Sequence, residues 1–382
     1  MHNSLVLILV VTAAVIFDFT NGFHDTANSI APTVATGAMR PRTAVALSAV
    51  FNLVGAFLSL HVAQVIAKSI VSQGSVTLAV IFGGLIGAIA WNVTTWYHSI
   101  PSSSSHALIG GVVGAMLAHA GSHAVLWHGI ASKVLIPSLV APTLALGLAA
   151  IATITARRLT SKVPSGELSA GMRFGQIGSS SLLSLAHGTN DAQKTMGVIT
   201  LALVANGSLV KSSNTPNWVV VVCALAIGLG TFIGGWRIIR TMGQGFTKMS
   251  STQGFSAQMS AAAVILSSSH FGLPLSTTHV ATGSILGSGV GTPGEPVRWR
   301  LAGRVGAAWL LTLPLAAVFG AVGYCGENIF GLTTGAVVMG AVGTLYCGAV
   351  YLKSRSGVIN ASNVNHAWDQ QSESLEKVKA SA

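Results

Sequence analysis

The chain has 382 residues and sets 20 Lys and Arg against 9 Asp and Glu, a net charge of +11. Only 8% of its residues are charged and 51% are hydrophobic, with a mean hydropathy of +0.67. Soluble domains carry roughly 25% charged residues, so this composition excludes a soluble surface and indicates an all-α polytopic membrane protein. The basic excess does not indicate nucleic acid. Basic residues sit in short loops between apolar runs, and no basic tract or basic–aromatic alternation occurs.

Apolar runs cover residues 5–17, 44–67, 78–96, 134–156, 218–239, 306–324 and 331–352. Most approach the roughly 20 residues a membrane-spanning helix needs. The first run has no basic leader and continues into a polar motif, as in a retained helix rather than a signal peptide. That motif is Asn21-Gly-Phe-His-Asp25-Thr-Ala-Asn28. Arg40 and Arg42 follow it. Residues 77–98 and 107–120 then form a predicted helical hairpin with Pro101-Ser-Ser-Ser-Ser-His106 at its tip. Residues 157–175, with Arg157, Arg158, Lys162 and Arg173, are the most polar internal stretch.

The same order recurs in the second half. His187-Gly-Thr-Asn-Asp191-Ala-Gln-Lys194 echoes the first motif. A hairpin predicted over 255–271 and 280–291 carries Pro274-Leu-Ser-Thr-Thr-His279 at its tip. Placing the basic loops in the cytoplasm puts the N-terminus outside and the tail inside. The first hairpin then enters from the outside and the second from the inside. This predicts two inverted-topology repeats, each with a broken Asp-motif helix and a re-entrant helical hairpin, around a site near the bilayer midplane. Residues 1–156 form the first transmembrane repeat and 157–175 a cytoplasmic linker. Residues 176–353 form the second repeat plus a final helix, and 354–382 a polar cytoplasmic tail, disordered or loosely helical.

A carboxylate inside a membrane costs about 2.5–3.5 kcal/mol on insertion scales, so Asp25 and Asp191 are functional candidates by default. Gly22 and Gly188 lie three residues before them, where a helix breaks or is closely approached. Asn28, Asn190 and Gln193 offer amide oxygens and N–H donors. Ser103, Ser104, Ser105, Ser276, Thr277 and Thr278 stand between a proline and an apolar helix. Their hydroxyls can cap that helix and leave backbone N–H groups free for an anion. His106 and His279 read as ordinary buried histidines. His24 adjoins Asp25 and His187 lies four residues before Asp191, which leaves a coupling role open to either without supporting one, and Asp18 is a further charge or pore-lining group. Cys223, Cys325 and Cys347 are isolated, with no metal-site or disulfide spacing, and no cofactor is expected.

Anion donors converging on two carboxylates select the substrate. Two Asp repel a fully ionised oxyanion. Orthophosphate keeps at least one proton near neutral pH and can donate a hydrogen bond to a carboxylate, whereas sulfate cannot. Na⁺ or H⁺ bound at the carboxylates would offset the anion's charge. A cation-coupled phosphate importer follows. The competing reading is a sulfate or other oxyanion permease on the same scaffold. A phosphate sensor is disfavoured by a tail without a recognisable domain, and a hydrolase by the lack of a nucleophile elbow.

The motifs GFHDTANSIAP, AHGTNDAQKTMG and PLSTTH resemble those of the inorganic phosphate transporter (PiT) family, over about residues 5–352. The resemblance implies a dimeric inverted-repeat transporter of the plasma membrane. It implies phosphate at Asp25, Asn28, Asp191 and the hydroxyls of residues 103–105 and 276–278. A coupling cation is expected at Asp25, Asn190, Asp191 and Gln193, with Na⁺ an option at the two Asp. One departure is Lys194, at the position equivalent to Asn28. Its ammonium can pair with Asp191 three residues earlier and replace a bound Na⁺. The GFHD and NDAQK forms resemble the prokaryotic low-affinity branch, which implies proton symport of phosphate or of a metal–phosphate complex. H⁺ is therefore favoured over Na⁺.

Overall fold

The computed structural model describes residues 4–69, 75–210 and 213–365, and among these it is all-helical. The first half contains α1 (Ser4–Ala35), α2 (Pro41–Gly55), α3 (His61–Ser69), α4 (Leu78–Tyr97) and α5 (Ser104–Ala120). It ends with α6 (Trp127–Ile130), which runs through a π-helical turn into α7 (Ile136–Leu159). The second half contains α8 (Ser165–Ala205), α9 (Asn217–Ile233), α10 (Trp236–Gln244), α11 (Ser251–His270), α12 (Thr277–Val290), α13 (Trp299–Phe330) and α14 (Leu332–Ser354). Among the described residues, five helices are long and apolar enough to cross a membrane, or six if α9 and α10 count as one bent span.

The Asp-motif helices are not broken, contrary to the sequence expectation. Asp25 lies within the continuous 32-residue α1, and Asp191 within the 41-residue α8. Their glycines serve close approach instead. A Cβ at Gly22 would lie 2.5 Å from the Ile227 carbonyl oxygen of α9, and one at Gly188 would run into the Asn52 carbonyl of α2. With no Cβ, two backbones can meet at van der Waals distance while each helix keeps its own hydrogen bonds. The breaks fall in the helices that follow. The apolar run 44–67 divides into α2 and α3, and the run 218–239 into α9 and α10, bent by 69°. The second break falls at Gly234, whose φ of +77° suits a residue without a side chain.

The two halves exchange partners. α1 packs on α9 and α10, while α8 packs on α2 and α3. The α4–α5 hairpin packs on α13, and the α11–α12 hairpin on α7. Both hairpin contacts use glycines one turn apart: Gly110 and Gly114 face Leu313 and Ala317, and Gly283 and Gly287 face Pro142 and Leu146. Such small-residue stripes are how helices pack where no water drives association. The outer helices turn large apolar side chains outward, among them Leu139, Ile151, Leu310 and Leu345. On α1, residues Val6–Phe17 belong to one apolar cluster and Ala27–Val34 to another. The polar motif occupies the gap between them.

The proposed linker is mostly helix, because residues 165–175 form the first turns of α8. The segment after α14 is also ordered to residue 365. Arg237 donates to the Ser354 and Gly357 carbonyls at 2.8 and 2.9 Å, and Arg240 to the Asn363 carbonyl at 2.6 Å. Val364 is buried beneath this strap, and Asn365 Nδ2 donates to the Val34 carbonyl at 3.1 Å. The strap thus joins the ends of α1 and α10. Backbone carbonyls captured by two guanidinium groups hold down a polar segment that composition alone reads as loose. The rest of the predicted tail, 366–382, lies outside the described residues.

Candidate functional site

Both hairpin tips are built alike. Ser103 and Ser276 are the N-caps of α5 and α12, and each hydroxyl accepts a hydrogen bond at 3.2 Å from the backbone N–H three residues on, at His106 and His279. Each cap satisfies one of the four amides a helix start leaves open. The next two residues of each tip, Ser104–Ser105 and Thr277–Thr278, reach into the gap between α1 and α8.

There the two motifs meet. Ser104 Oγ lies 2.6 Å from Asp25 Oδ2 and 2.6 Å from Asn21 Oδ1. Thr278 Oγ1 donates to Asp25 Oδ1 at 3.3 Å, and Thr277 Oγ1 to Asp191 Oδ2 at 3.1 Å. Asn28 Nδ2 donates to both threonine hydroxyls, at 3.3 and 3.0 Å. An amide–hydroxyl–carboxylate cascade therefore links α1, α12 and α8. Each tip contacts its own half's Asp with its first hydroxyl and the other half's motif with its second.

Lys194 closes the ring. Its Nζ donates to Asp191 Oδ1 at 2.5 Å, to Ser105 Oγ at 2.5 Å and to the Leu275 carbonyl at 2.8 Å. The pairing expected three residues apart on α8 is thus present, and all three ammonium hydrogens have acceptors. Every site residue named from sequence is at most 3% exposed. In this arrangement, most of the tip hydroxyls that could bind an anion are engaged by the two Asp motifs.

Two motif histidines contact the carboxylates. His24 Nδ1 lies 2.5 Å from Asp25 Oδ1, and its Nε2 lies 3.1 Å from Thr95 Oγ1 and 3.4 Å from Ser102 Oγ. A carboxylate only accepts, so the Nδ1 carries the proton. His187 spans Asn52 Oδ1 at 3.1 Å and Asp191 Oδ2 at 3.2 Å; the second contact is in ion-pair range but off hydrogen-bond alignment. One ligand atom each from Asp25, His187 and Asp191 lie within 4.8 Å of one another. The readable signal was position: His187 precedes Asp191 by one helical turn. His106 and His279 stay away from the carboxylates. Their rings meet at 4.9 Å, and His279 stacks on Trp309 at 4.0 Å, whose Nε1 donates to the Pro101 carbonyl.

Two residues named from sequence are occupied elsewhere. Gln193 Oε1 accepts from the Val62 and Ala63 amides at 2.8 and 3.3 Å, capping the start of α3, while its Nε2 donates to the Thr189 carbonyl. Asn190 Nδ2 donates to Ser269 Oγ at 2.9 Å and the Leu273 carbonyl at 3.3 Å, bracing the second tip from behind. Both stand one or two positions from Asp191 on α8, where the 100° step between residues points them at other neighbours. Asp18 accepts from Thr195 Oγ1 at 2.9 Å, and its other carboxylate oxygen has no hydrogen-bond partner in range among the described residues.

The arrangement can hold a small oxyanion between two hydroxyl-bearing helix starts and keep cationic charge or protons at the flanking carboxylates. Residues 21–320 match the model of the phosphate transporter family. A probable low-affinity inorganic phosphate transporter of Mycobacterium leprae (strain TN) is 53% identical over 368 residues, covering 96% of this chain and 89% of that protein. The protein of the same description from Bacillus subtilis (strain 168) is 43% identical over 325 residues, covering 84% and 96%. A solved structure described as the sodium-dependent phosphate transporter has the same fold, with a TM-score of 0.71 at 24% identity, covering 85% of this chain and 99% of that one.

Proposed function

The chain belongs to the phosphate transporter family and is a membrane transporter rather than an enzyme; from that premise we propose that it is a secondary active symporter importing inorganic phosphate down a cation gradient, with H⁺ favoured over Na⁺. The observation that carries the reading is the convergence of both tips on the two Asp motifs, with Ser104 and Thr278 on Asp25, Thr277 on Asp191 and Ser105 on Lys194. Phosphate entering here takes the hydroxyl donors from the carboxylates. It returns a hydrogen bond through its own proton, which sulfate lacks. Its charge is offset by a proton or cation taken up at Asp25 and Asp191.

Three features support the finer reading. The exchange of partners between halves, hairpin to opposite long helix, is what two inverted repeats produce, with the hairpins re-entrant and the site near the midplane. Rocking one half against the other then gives alternating access. The imidazoles of His24 and His187 beside the carboxylates suit a proton, and an imidazole ligand suits a divalent transition ion better than Na⁺. A metal–phosphate complex is therefore the alternative cargo. Basic loops facing the cytoplasm orient the chain in the plasma membrane with its N-terminus outside, and the family resemblance supports a homodimer.

The test is radiolabelled phosphate uptake into proteoliposomes under separately imposed H⁺ and Na⁺ gradients, with sulfate as competitor. Uptake driven by the proton gradient, indifferent to sulfate and lost in Asp25→Asn and Asp191→Asn is expected. Sulfate accumulation in place of phosphate would replace this reading with the oxyanion permease.

A further inference from the structure

The two Asp motifs share Gly and Asp at matching positions, and one of their differences bears on charge. Three residues after Asp25 stands the neutral amide Asn28; three residues after Asp191 stands Lys194. The side chains also differ in where they end. Asn28 donates only to the hydroxyls of Thr277 and Thr278. Lys194 ends among three oxygens of three kinds: a carboxylate (Asp191 Oδ1, 2.5 Å), a hydroxyl (Ser105 Oγ, 2.5 Å) and a backbone carbonyl (Leu275, 2.8 Å). They come from α8, the first tip and the second tip, and Ser105 Oγ is itself 3.4 Å from the Leu275 carbonyl. Lys194 as a whole is 1% exposed.

Carboxylate, hydroxyl and carbonyl oxygens are the donors a hard metal cation takes, at about 2.3–2.6 Å for an ion such as Ca²⁺. A cluster of this kind, drawn from both halves around one positive charge, has the composition of a cation site. We infer that the Lys194 ammonium is a tethered cation filling a latent alkali-ion site made by Asp191, Ser105 and the Leu275 carbonyl. The chain thus supplies the cation from its own side chain and needs no Na⁺ there. Replacing Lys194 by a neutral side chain leaves the three oxygens facing one another and opens the site to Na⁺. The existence of the site is independent of the transport reading; only its consequence, uptake without Na⁺, rests on the proposed phosphate symport.

The test uses the full chain, purified in detergent, with melting temperature followed as NaCl replaces choline chloride at constant ionic strength. Wild type should show no saturable response to Na⁺. Lys194→Asn, which copies the first motif, and Lys194→Gln, which keeps more of the stem, should each gain a saturable Na⁺-dependent rise of a few degrees. Adding Ser105→Ala to either should weaken the apparent Na⁺ affinity at least tenfold. Monodisperse Lys194→Asn and Lys194→Gln proteins that ignore Na⁺ would overturn the inference. So would a wild type with a saturable Na⁺ response that Asp191→Asn abolishes, and this arm decides even if the Lys194 variants do not fold. Phosphate uptake by wild-type proteoliposomes should be the same with Na⁺ or choline. Its complete absence would remove the transport reading, while the melting curves would still decide the site.

Discussion

Asp25 and Asp191 occupy equivalent places in equivalent motifs, yet the structure predicts that neutralising them has unequal effects on stability. Among the described residues Asp191 is the only carboxylate bonded to Lys194, so Asp191→Asn leaves a fully buried ammonium held by neutral oxygens alone. Removing one partner of a buried ion pair costs about 3–5 kcal/mol, because the remaining charge is desolvated without compensation. Asp25 accepts from Ser104, Thr278 and His24. Asn at that position keeps one oxygen acceptor and strands at most one or two donors, a cost of about 1–2 kcal/mol. At about 2 °C per kcal/mol for a large chain, Asp191→Asn should lower the melting temperature by roughly 6–10 °C and Asp25→Asn by roughly 2–4 °C. Tryptophan fluorescence on heating the detergent-solubilised protein measures both. The double variant Asp191→Asn/Lys194→Asn should regain much of the loss, with a coupling energy of at least about 2 kcal/mol. Equal shifts for the two single variants, or no recovery in the double, would refute the claim that one ion pair sets the asymmetry.

Glycines on α8 should respond with opposite signs. A methyl at Gly188 meets the Asn52 backbone and pries α2 from α8, so Gly188→Ala should cost about 1–3 kcal/mol and reduce phosphate uptake. Gly178→Ala, where no atom lies within 4 Å of the new methyl, should gain about 0.5–1 kcal/mol in helix propensity and leave uptake unchanged; thermal melts and uptake on the pair would expose a wrong packing assignment. Arg240→Ala should loosen the strap around residues 363–364, costing about 1–2 kcal/mol, or roughly 2–4 °C. Unchanged melting and unchanged proteolytic cleavage within that strap would contradict its docking.

The pair of buried carboxylates, the hydroxyl tips and the membrane class were legible from sequence because each depends on residue type and local spacing. A charge inside an apolar run has few explanations, and a proline followed by Ser or Thr before an apolar run caps a helix wherever it occurs. The Asp191–Lys194 pair was legible for the same reason, since three residues along a helix bring side chains to one face. What depends on contacts between distant elements was not. Glycine in a motif means either a break or a close approach, and only the neighbouring helix decides. At Gly22 and Gly188 a facing backbone takes up the space of a side chain while α1 and α8 run on unbroken, and the breaks fall at residues 56–60 and Gly234. Gln193 and Asn190 look like site amides in sequence, yet rotation around α8 gives one to α3 and the other to the back of a tip. His24 and His187 gain their roles because Thr95 and Asn52 stand behind them. The sequence by itself determined which groups cannot be left in lipid; only the tertiary structure decided which partner satisfies each, because a buried donor takes whichever acceptor the packing brings within 3 Å.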